Sequence, residues 1–141
     1  MSGTGAGQAG TPACEALAVV GDPGARALAL RALRHGAAAA ADAEEAARLL
    51  SGPEASRGLR LLLLDLPPVA AYEVLRRVRG DPRTSSLPVV VLGAAGGNGA
   101  AHEAYALGAN SYVVTPADDT GYADTVARVA DYWLGVNRFV L

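Results

Sequence analysis

The sequence predicts a single α/β domain: a five-stranded parallel sheet with helices on both faces. Two observations carry the expectation. Short, continuous apolar runs are bounded by Gly, Pro or Asp, as in strands buried on both sides. Between them lie segments of helical composition, so the chain alternates strand and helix throughout, the pattern of a parallel sheet with right-handed crossovers. The length, 141 residues, suits one domain that buries roughly two-thirds of the surface its unfolded chain exposes.

Taken in order, Leu17 to Val20, Leu61 to Leu64, Val89 to Leu92 and Tyr112 to Val114 are the apolar runs. Ala25 to Arg34, Ala43 to Leu50, Ala71 to Arg79, Ala100 to Leu107 and Asp119 to Leu134 are the helical segments. The last places Tyr122, Val126, Val129 and Trp133 on one stripe. Ala37 to Ala41 is helical by composition, yet it stands between two helices where the alternation requires a strand; we assign it as a weak edge strand. Residues 1–13, rich in Gly, Ser, Thr and Ala, read as a disordered tail without the basic and apolar regions of a signal peptide. The folded domain is expected over residues 14–141.

Composition excludes several classes. Hydrophobic residues make up 51% and charged residues 18%, and no apolar stretch approaches the roughly 20 residues that span a bilayer. A cytoplasmic protein without membrane contact is expected. The net charge of -2 gives no basic footprint for nucleic acid. Cys14 is the single cysteine and reads as a half-buried free thiol. All twelve basic residues are arginine, which excludes the Gly-Lys-Ser/Thr phosphate loop and lysine-based catalysis. "GDPGAR", residues 21–26, lacks the glycine spacing of a dinucleotide fingerprint. His35 and His102 are isolated on helical segments and read as surface residues.

The stretch "RLLLLDLPP", residues 60–68, runs four leucines into Asp65. A strand buried on both faces has no place for a carboxylate in its interior, so Asp65 stands where the strand leaves the core. In such sheets, ligands bind outside the carboxyl ends of the strands. Asp22, Gly93 and Thr115 are placed at the other strand ends and could converge with Asp65 on one crevice.

From about Ala16 onward the chain resembles the receiver domain of bacterial two-component response regulators. The resemblance is carried by "EVLRRVRGDPRTSSLPVVVLGAA" (73–95), "AYALGANSYVVTPAD" (104–118) and "DYWLGVNR" (131–138). The last is similar to small stand-alone receivers that partner phytochrome-like histidine kinases. The resemblance implies a flavodoxin-like, doubly wound sheet of strand order 2-1-3-4-5, and it makes Asp65 the candidate phosphoacceptor.

The rest of the implied site departs from the family's pattern. Receivers end their first strand with two adjacent acids that hold magnesium, where this chain has Gly21-Asp22-Pro23. Asp22 and Asp65 would make only a weak Mg²⁺ site; Asp22 reads equally well as the cap of the next helix. The family's lysine before a cis-type proline is Thr115. Opposite unit charges about 4 Å apart interact by roughly 4 kcal/mol at an effective dielectric near 20, whereas a neutral hydrogen bond nets about 1 kcal/mol. A phosphoryl group on Asp65 would therefore lack about 2–3 kcal/mol, on the order of a hundredfold in rate or equilibrium. The family's switching hydroxyl is Gly93, and its aromatic partner corresponds to Tyr112, which reads equally as packing. The Pro67-Pro68 pair stiffens the loop after Asp65. "GAAGGNGA", residues 93–100, reads as a glycine-rich loop that could also form an anion nest.

These readings predict a stand-alone, atypical receiver without enzymatic activity. It would signal in a phosphorelay through contacts with a histidine kinase or another signalling protein, and phosphorylation of Asp65 would be impaired or absent. The alternative is a phosphorylation-independent module that senses a small molecule in the same crevice. Tyr132, Trp133, Leu134 and Phe139 are expected to form a homodimer, with packing of Trp133 on its own sheet as the competing reading.

Overall fold

A computed structural model describes residues 14–34, 36–53, 58–95 and 98–136. The anticipated tail (1–13), His35 and the terminal Phe139, Val140 and Leu141 lie outside the described residues. The strands are β1 (Ala16–Val20), β2 (Ala37–Ala40), β3 (Leu61–Asp65), β4 (Val89–Gly93) and β5 (Ser111–Val114). The helices are α1 (Pro23–Ala32), α2 (Ala43–Ser51), α3 (Pro68–Gly80), α4 (Asn98–Ala106) and α5 (Asp119–Ala130). All strand pairs are parallel, in the order β2-β1-β3-β4-β5. The alanine run forms the edge strand β2, because the parallel ladder to β1 decides between two conformations that its composition leaves open.

Parity along the strands sorts the core into two halves, since successive side chains point to opposite faces. Leu17, Val19, Leu62, Leu64, Val89 and Val91 join α2, α3 and α4 in one cluster. Ala16, Ala18, Val20, Leu61, Leu63, Val90 and Leu92 join α1 and α5 in the other. All four β3 leucines have no exposed surface, because β3 is the central strand and both its faces are covered. The same alternation puts residue 65 on the α1/α5 side, one step past Leu63.

Local signals fix the helix starts. Asp22, Asp42 and Asp118 cap α1, α2 and α5, each accepting a backbone N–H from three residues on, at 2.8 Å. Pro68 opens α3 at its first position, where its missing N–H costs nothing. Only Leu66 and Pro67 thus separate Asp65 from a rigid helix. The expected helix 119–134 is corrected at its end: α5 stops at Ala130 and Asp131–Val136 continues as π-helical turns. These wider turns seat Leu134 wholly inside the core, and Arg60 donates to its carbonyl at 3.1 Å. None of the described helices is long and apolar enough to cross a membrane.

Arg79, near the end of α3, ties the back of the sheet together. Its guanidinium donates to the carbonyls of Gly108 (2.8 and 3.0 Å), Leu87 (2.7 Å) and Ser85 (3.2 Å), and to Asn110 Oδ1 (2.8 Å). Asn110 Oδ1 also accepts from the Val89 N–H that begins β4. Gly108 has a φ of 106°, a left-handed conformation that favours glycine, and its carbonyl thereby meets Arg79. A planar fork addresses several carbonyls at once, which a single ammonium cannot. Arg79→Met should lower unfolding free energy by about 2 kcal/mol or more, and Arg79→Lys should recover less than half of that loss in urea denaturation.

Candidate functional site

The carboxyl ends of β1, β3 and β4 bring Asp22, Asp65 and Gly93 to one side of the sheet, as the strand pattern predicted. Asp65 is half-buried. The Tyr122 hydroxyl donates to Asp65 Oδ2 at 2.8 Å. Tyr122 is buried on the first turn of α5, the helix packed beside α1 on the face toward which β3 parity directs residue 65. Sequence reading placed Tyr122 in the apolar stripe of its helix and gave it no role. Its signal was available in part, as the shared parity of 61, 63 and 65; pairing that face with α5 required the strand order.

Electrostatics at this pair run in one direction. Burial raises the Asp65 carboxyl above its ordinary value, the Tyr122 hydrogen bond opposes that rise, and the negative charge of Asp22 adds to it. The Tyr122 phenol is itself pushed far above its usual value by burial, then by the hydrogen bond and charge of Asp65, with a smaller push from Asp22. It therefore stays a protonated donor throughout the physiological range. No basic side chain contributes to either shift. The nearby Arg26 spends its guanidinium on the carbonyls of Val20 (2.9 Å) and Gly21 (3.4 Å).

Asp22 is exposed and its Oδ2 caps α1 through the Ala25 N–H. The capping reading therefore holds, and the charge coupling to Asp65 shows that the two acids also share one field. Among the described residues no group of three or more His, Cys, Asp or Glu side chains is placed to hold a metal ion. Asp22 and Asp65 each have one carboxylate oxygen already hydrogen-bonded. That suits an ion that keeps most of its waters.

Thr115 is joined to Gly93. Its N–H and hydroxyl both go to the Gly93 carbonyl, at 2.9 and 3.4 Å, and the Thr115–Pro116 peptide is trans, a correction to the cis-type expectation. Gly93 and Tyr112 form a second unit. A Cβ built on Gly93 would lie 2.6 Å from Tyr112 Cζ and nearer still to the hydroxyl oxygen. The ring occupies the space that any side chain at 93 would need. Gly93 is thus more than a missing hydroxyl; it is the vacancy into which the tyrosine folds.

The anticipated dimer residues differ in exposure. Leu134 is wholly buried in the chain's own core and has no surface to offer a second copy. Trp133 is half-buried and packs against the α1/α5 cluster; its ring meets Tyr132 edge-on, with centroids 5.2 Å apart. Tyr132 remains 53% exposed, and Phe139 lies outside the described residues. His102 is exposed on α4, and the half-buried Cys14 thiol donates to the Ala16 carbonyl at 2.9 Å.

Comparison with known proteins agrees with this geometry. No protein-family model matches the chain. Among solved structures, it superposes on the phosphorylated cyanobacterial phytochrome response regulator RcpA with a TM-score of 0.75 and 25% identity, covering 87% of this chain and 95% of that one. A putative response regulator from Chloroflexus aurantiacus gives 0.65 and 27%, covering 85% and 98%. The chain has the receiver fold of response regulators. The Mn²⁺-bound form of response regulator Rcp1 shares the fold at a TM-score of 0.73 and 22% identity, with 86% and 95% covered. In sequence, the receiver is 37% identical over 81 residues to a probable methanogenesis regulatory protein, FilR2, of Methanothrix harundinacea, covering 56% of this chain and 52% of that protein. It is 39% identical over 83 residues to the phosphate regulon transcriptional regulatory protein PhoB of Rhizobium meliloti, covering 54% and 37%. The matched regions thus span about half or less of these curated relatives.

Two outcomes check the geometry. Because folding raises the Asp65 carboxyl, its ionised form opposes folding above the folded-state value, and the opposition vanishes when both states are protonated. Asp65→Asn should therefore be at least as stable as the parent at pH 7, with the advantage lost below about pH 4. Tyr122→Phe should lift the Asp65 midpoint further in a carboxyl-carbon NMR titration. Separately, Gly93→Ala should cost about 1–3 kcal/mol through overlap with the Tyr112 ring. In a Tyr112→Ala background, the same change should cost under about 0.5 kcal/mol.

Proposed function

We propose that this receiver works in two-component signalling through contacts with a histidine kinase or another signalling protein, and that phosphoryl transfer to Asp65 is impaired. The observation that carries the reading is the identity of the partner of Asp65: a neutral phenol, with no cationic side chain beside it among the described residues. In phosphoryl transfer, an Asp65 oxygen would attack the phosphorus of a phosphohistidine. The P–N bond breaks, the imidazole leaves with its electron pair and takes up a proton, and an acyl phosphate remains on Asp65. The transferred group gains charge-assisted bonds where a lysine stands nearby, and this chain has none.

The residues suited to a divalent cation are Asp22 and Asp65, and Mg²⁺ bound there would neutralise charge on the transferring group. Everything else falls to neutral donors. The Tyr122 hydroxyl holds one Asp65 oxygen and leaves the other free, among the described residues, to act as nucleophile. The Thr115 hydroxyl is engaged with Gly93, and at 93 there is no hydroxyl to follow an incoming phosphoryl group. The Tyr112 ring lies against Gly93, in the space a side chain at 93 would take. Signalling by this receiver then rests on the presence and shape of its surfaces more than on a phosphorylation-driven rearrangement.

Incubation with a small phosphodonor and Mg²⁺, followed by intact-mass measurement, tests this. The parent should show a small fraction of added phosphoryl mass, and Asp65→Asn none. Thr115→Lys should raise the phosphorylated fraction by one to two orders of magnitude, in line with about 2 kcal/mol of charge-assisted stabilisation. Rapid, near-complete phosphorylation of the parent would overturn the proposal.

A further inference from the structure

A cleft of about 360 Å³ is lined by Asp65 together with residues of β4, α3 and α4, and Tyr122 is not among its walls. Its size lies within the range of small-molecule sites, which are mostly apolar with a few convergent polar groups. The composition here is of that kind. Ala71, Val91 and Ala100 supply apolar wall, Tyr72 and Tyr112 bring two phenol rings, and Asp65 is the single charged residue among those lining it. Small side chains keep the cleft open: a larger residue at Ala71 or Ala100 would fill it. The Tyr72 hydroxyl reaches across to the Ala100 carbonyl at 3.5 Å and joins the two helix walls.

The charge of the wall decides what can enter. The free oxygen of Asp65 has no hydrogen-bond partner among the described residues, and the other is held by Tyr122. No arginine is among the residues lining the cleft, and the guanidinium of Arg26 is tied to the carbonyls of Val20 and Gly21. Asp22 adds a second negative charge to the local field. A carboxylate or phosphate entering this space would meet an anion with nothing to offset it. A cation would meet a partly desolvated carboxylate and two aromatic faces, both of which attract it.

We propose that this cleft binds a small amphipathic cation, a primary ammonium or amidinium on a compact apolar body, with the charged head on Asp65 and the body between Tyr72 and Tyr112. The available volume equals that of about a dozen waters, which suits a single ring or a short alkyl chain. The inference rests on the geometry of the cleft and not on the phosphorylation reading. It would place the occupant against the Gly93–Tyr112 unit, so that ligand binding and the conformation of that unit are coupled. Binding is tested without Mg²⁺ or phosphodonor, so that its failure and the failure of the phosphorylation proposal are read from separate experiments.

The probes are benzylamine, which is protonated at neutral pH, and its neutral and anionic counterparts, benzyl alcohol and benzoate. Titrated into the full chain and followed by amide NMR, benzylamine should give saturable shifts at Gly93, Ala94 and Tyr112. Its affinity should exceed that of benzyl alcohol by about tenfold or more, as expected for a charge-assisted bond, and benzoate should give no saturable shifts. Asp65→Asn should abolish the preference for the amine while leaving the spectrum folded. Ala100→Leu should remove binding of both the amine and the alcohol. Absence of saturable shifts with benzylamine, equal affinity for the alcohol in the parent, or a preference that survives in Asp65→Asn would each overturn the proposal.

Discussion

The whole site depends on one electrostatic constraint: a carboxylate placed at the end of the central strand, with no opposite charge shown beside it among the described residues. Burying an ionised group costs several kcal/mol unless something offsets the lost hydration. Here the offset is a single hydrogen bond from Tyr122, itself a buried phenol on the opposing helix. The arrangement leaves Asp65 a stronger proton acceptor than a surface aspartate and leaves Tyr122 a permanent donor. A receiver that used a lysine at this place would hold the same carboxylate ionised and ready. This one holds it in place without neutralising it.

Packing has closed around the other half of the site in a complementary way. Glycine at 93 and tyrosine at 112 are one steric unit, because the ring fills the space a side chain would take. Val91 and Tyr112 are register partners on β4 and β5, so the ring leans from its own strand along the face toward the end of the next. The Thr115 hydroxyl then turns to the Gly93 carbonyl. Gly93, Tyr112 and Thr115 therefore form one connected unit at the ends of β4 and β5. Gly93 accommodates the ring, and the small Ala71 and Ala100 line the adjoining cleft.

Helix and strand ends explain why the site is held in place. Pro68 starts α3 three residues after Asp65, and Asp22 and Asp118 cap the two helices that cover the other face. At the far end of the sheet, Arg79 and Asn110 fix the beginning of β4. Strand β4 is thus anchored at its start by a side-chain network and at its finish by the Thr115 N–H bond to Gly93.

The strand-helix alternation, the five strand positions and the exit of Asp65 from the core were legible in the residues themselves. Apolar runs such as Leu61–Leu64 admit few other local structures, and a charge ending such a run must lie at its edge. The helix starts were legible for the same local reason, since Asp caps and Pro at the first turn act within three residues. What only the tertiary structure decided is which groups from distant segments meet. Tyr122 lies 57 residues from Asp65, and a tyrosine on an apolar stripe looks the same in sequence whether its hydroxyl reaches solvent or a carboxylate. Leu134 looked like a surface anchor until the π-helical turns carried it inward, and Gly93 looked like a simple loss until the ring of Tyr112 was found in its place. Local chemistry is encoded residue by residue, whereas contact between elements depends on strand order, face and rotation, which no single segment contains.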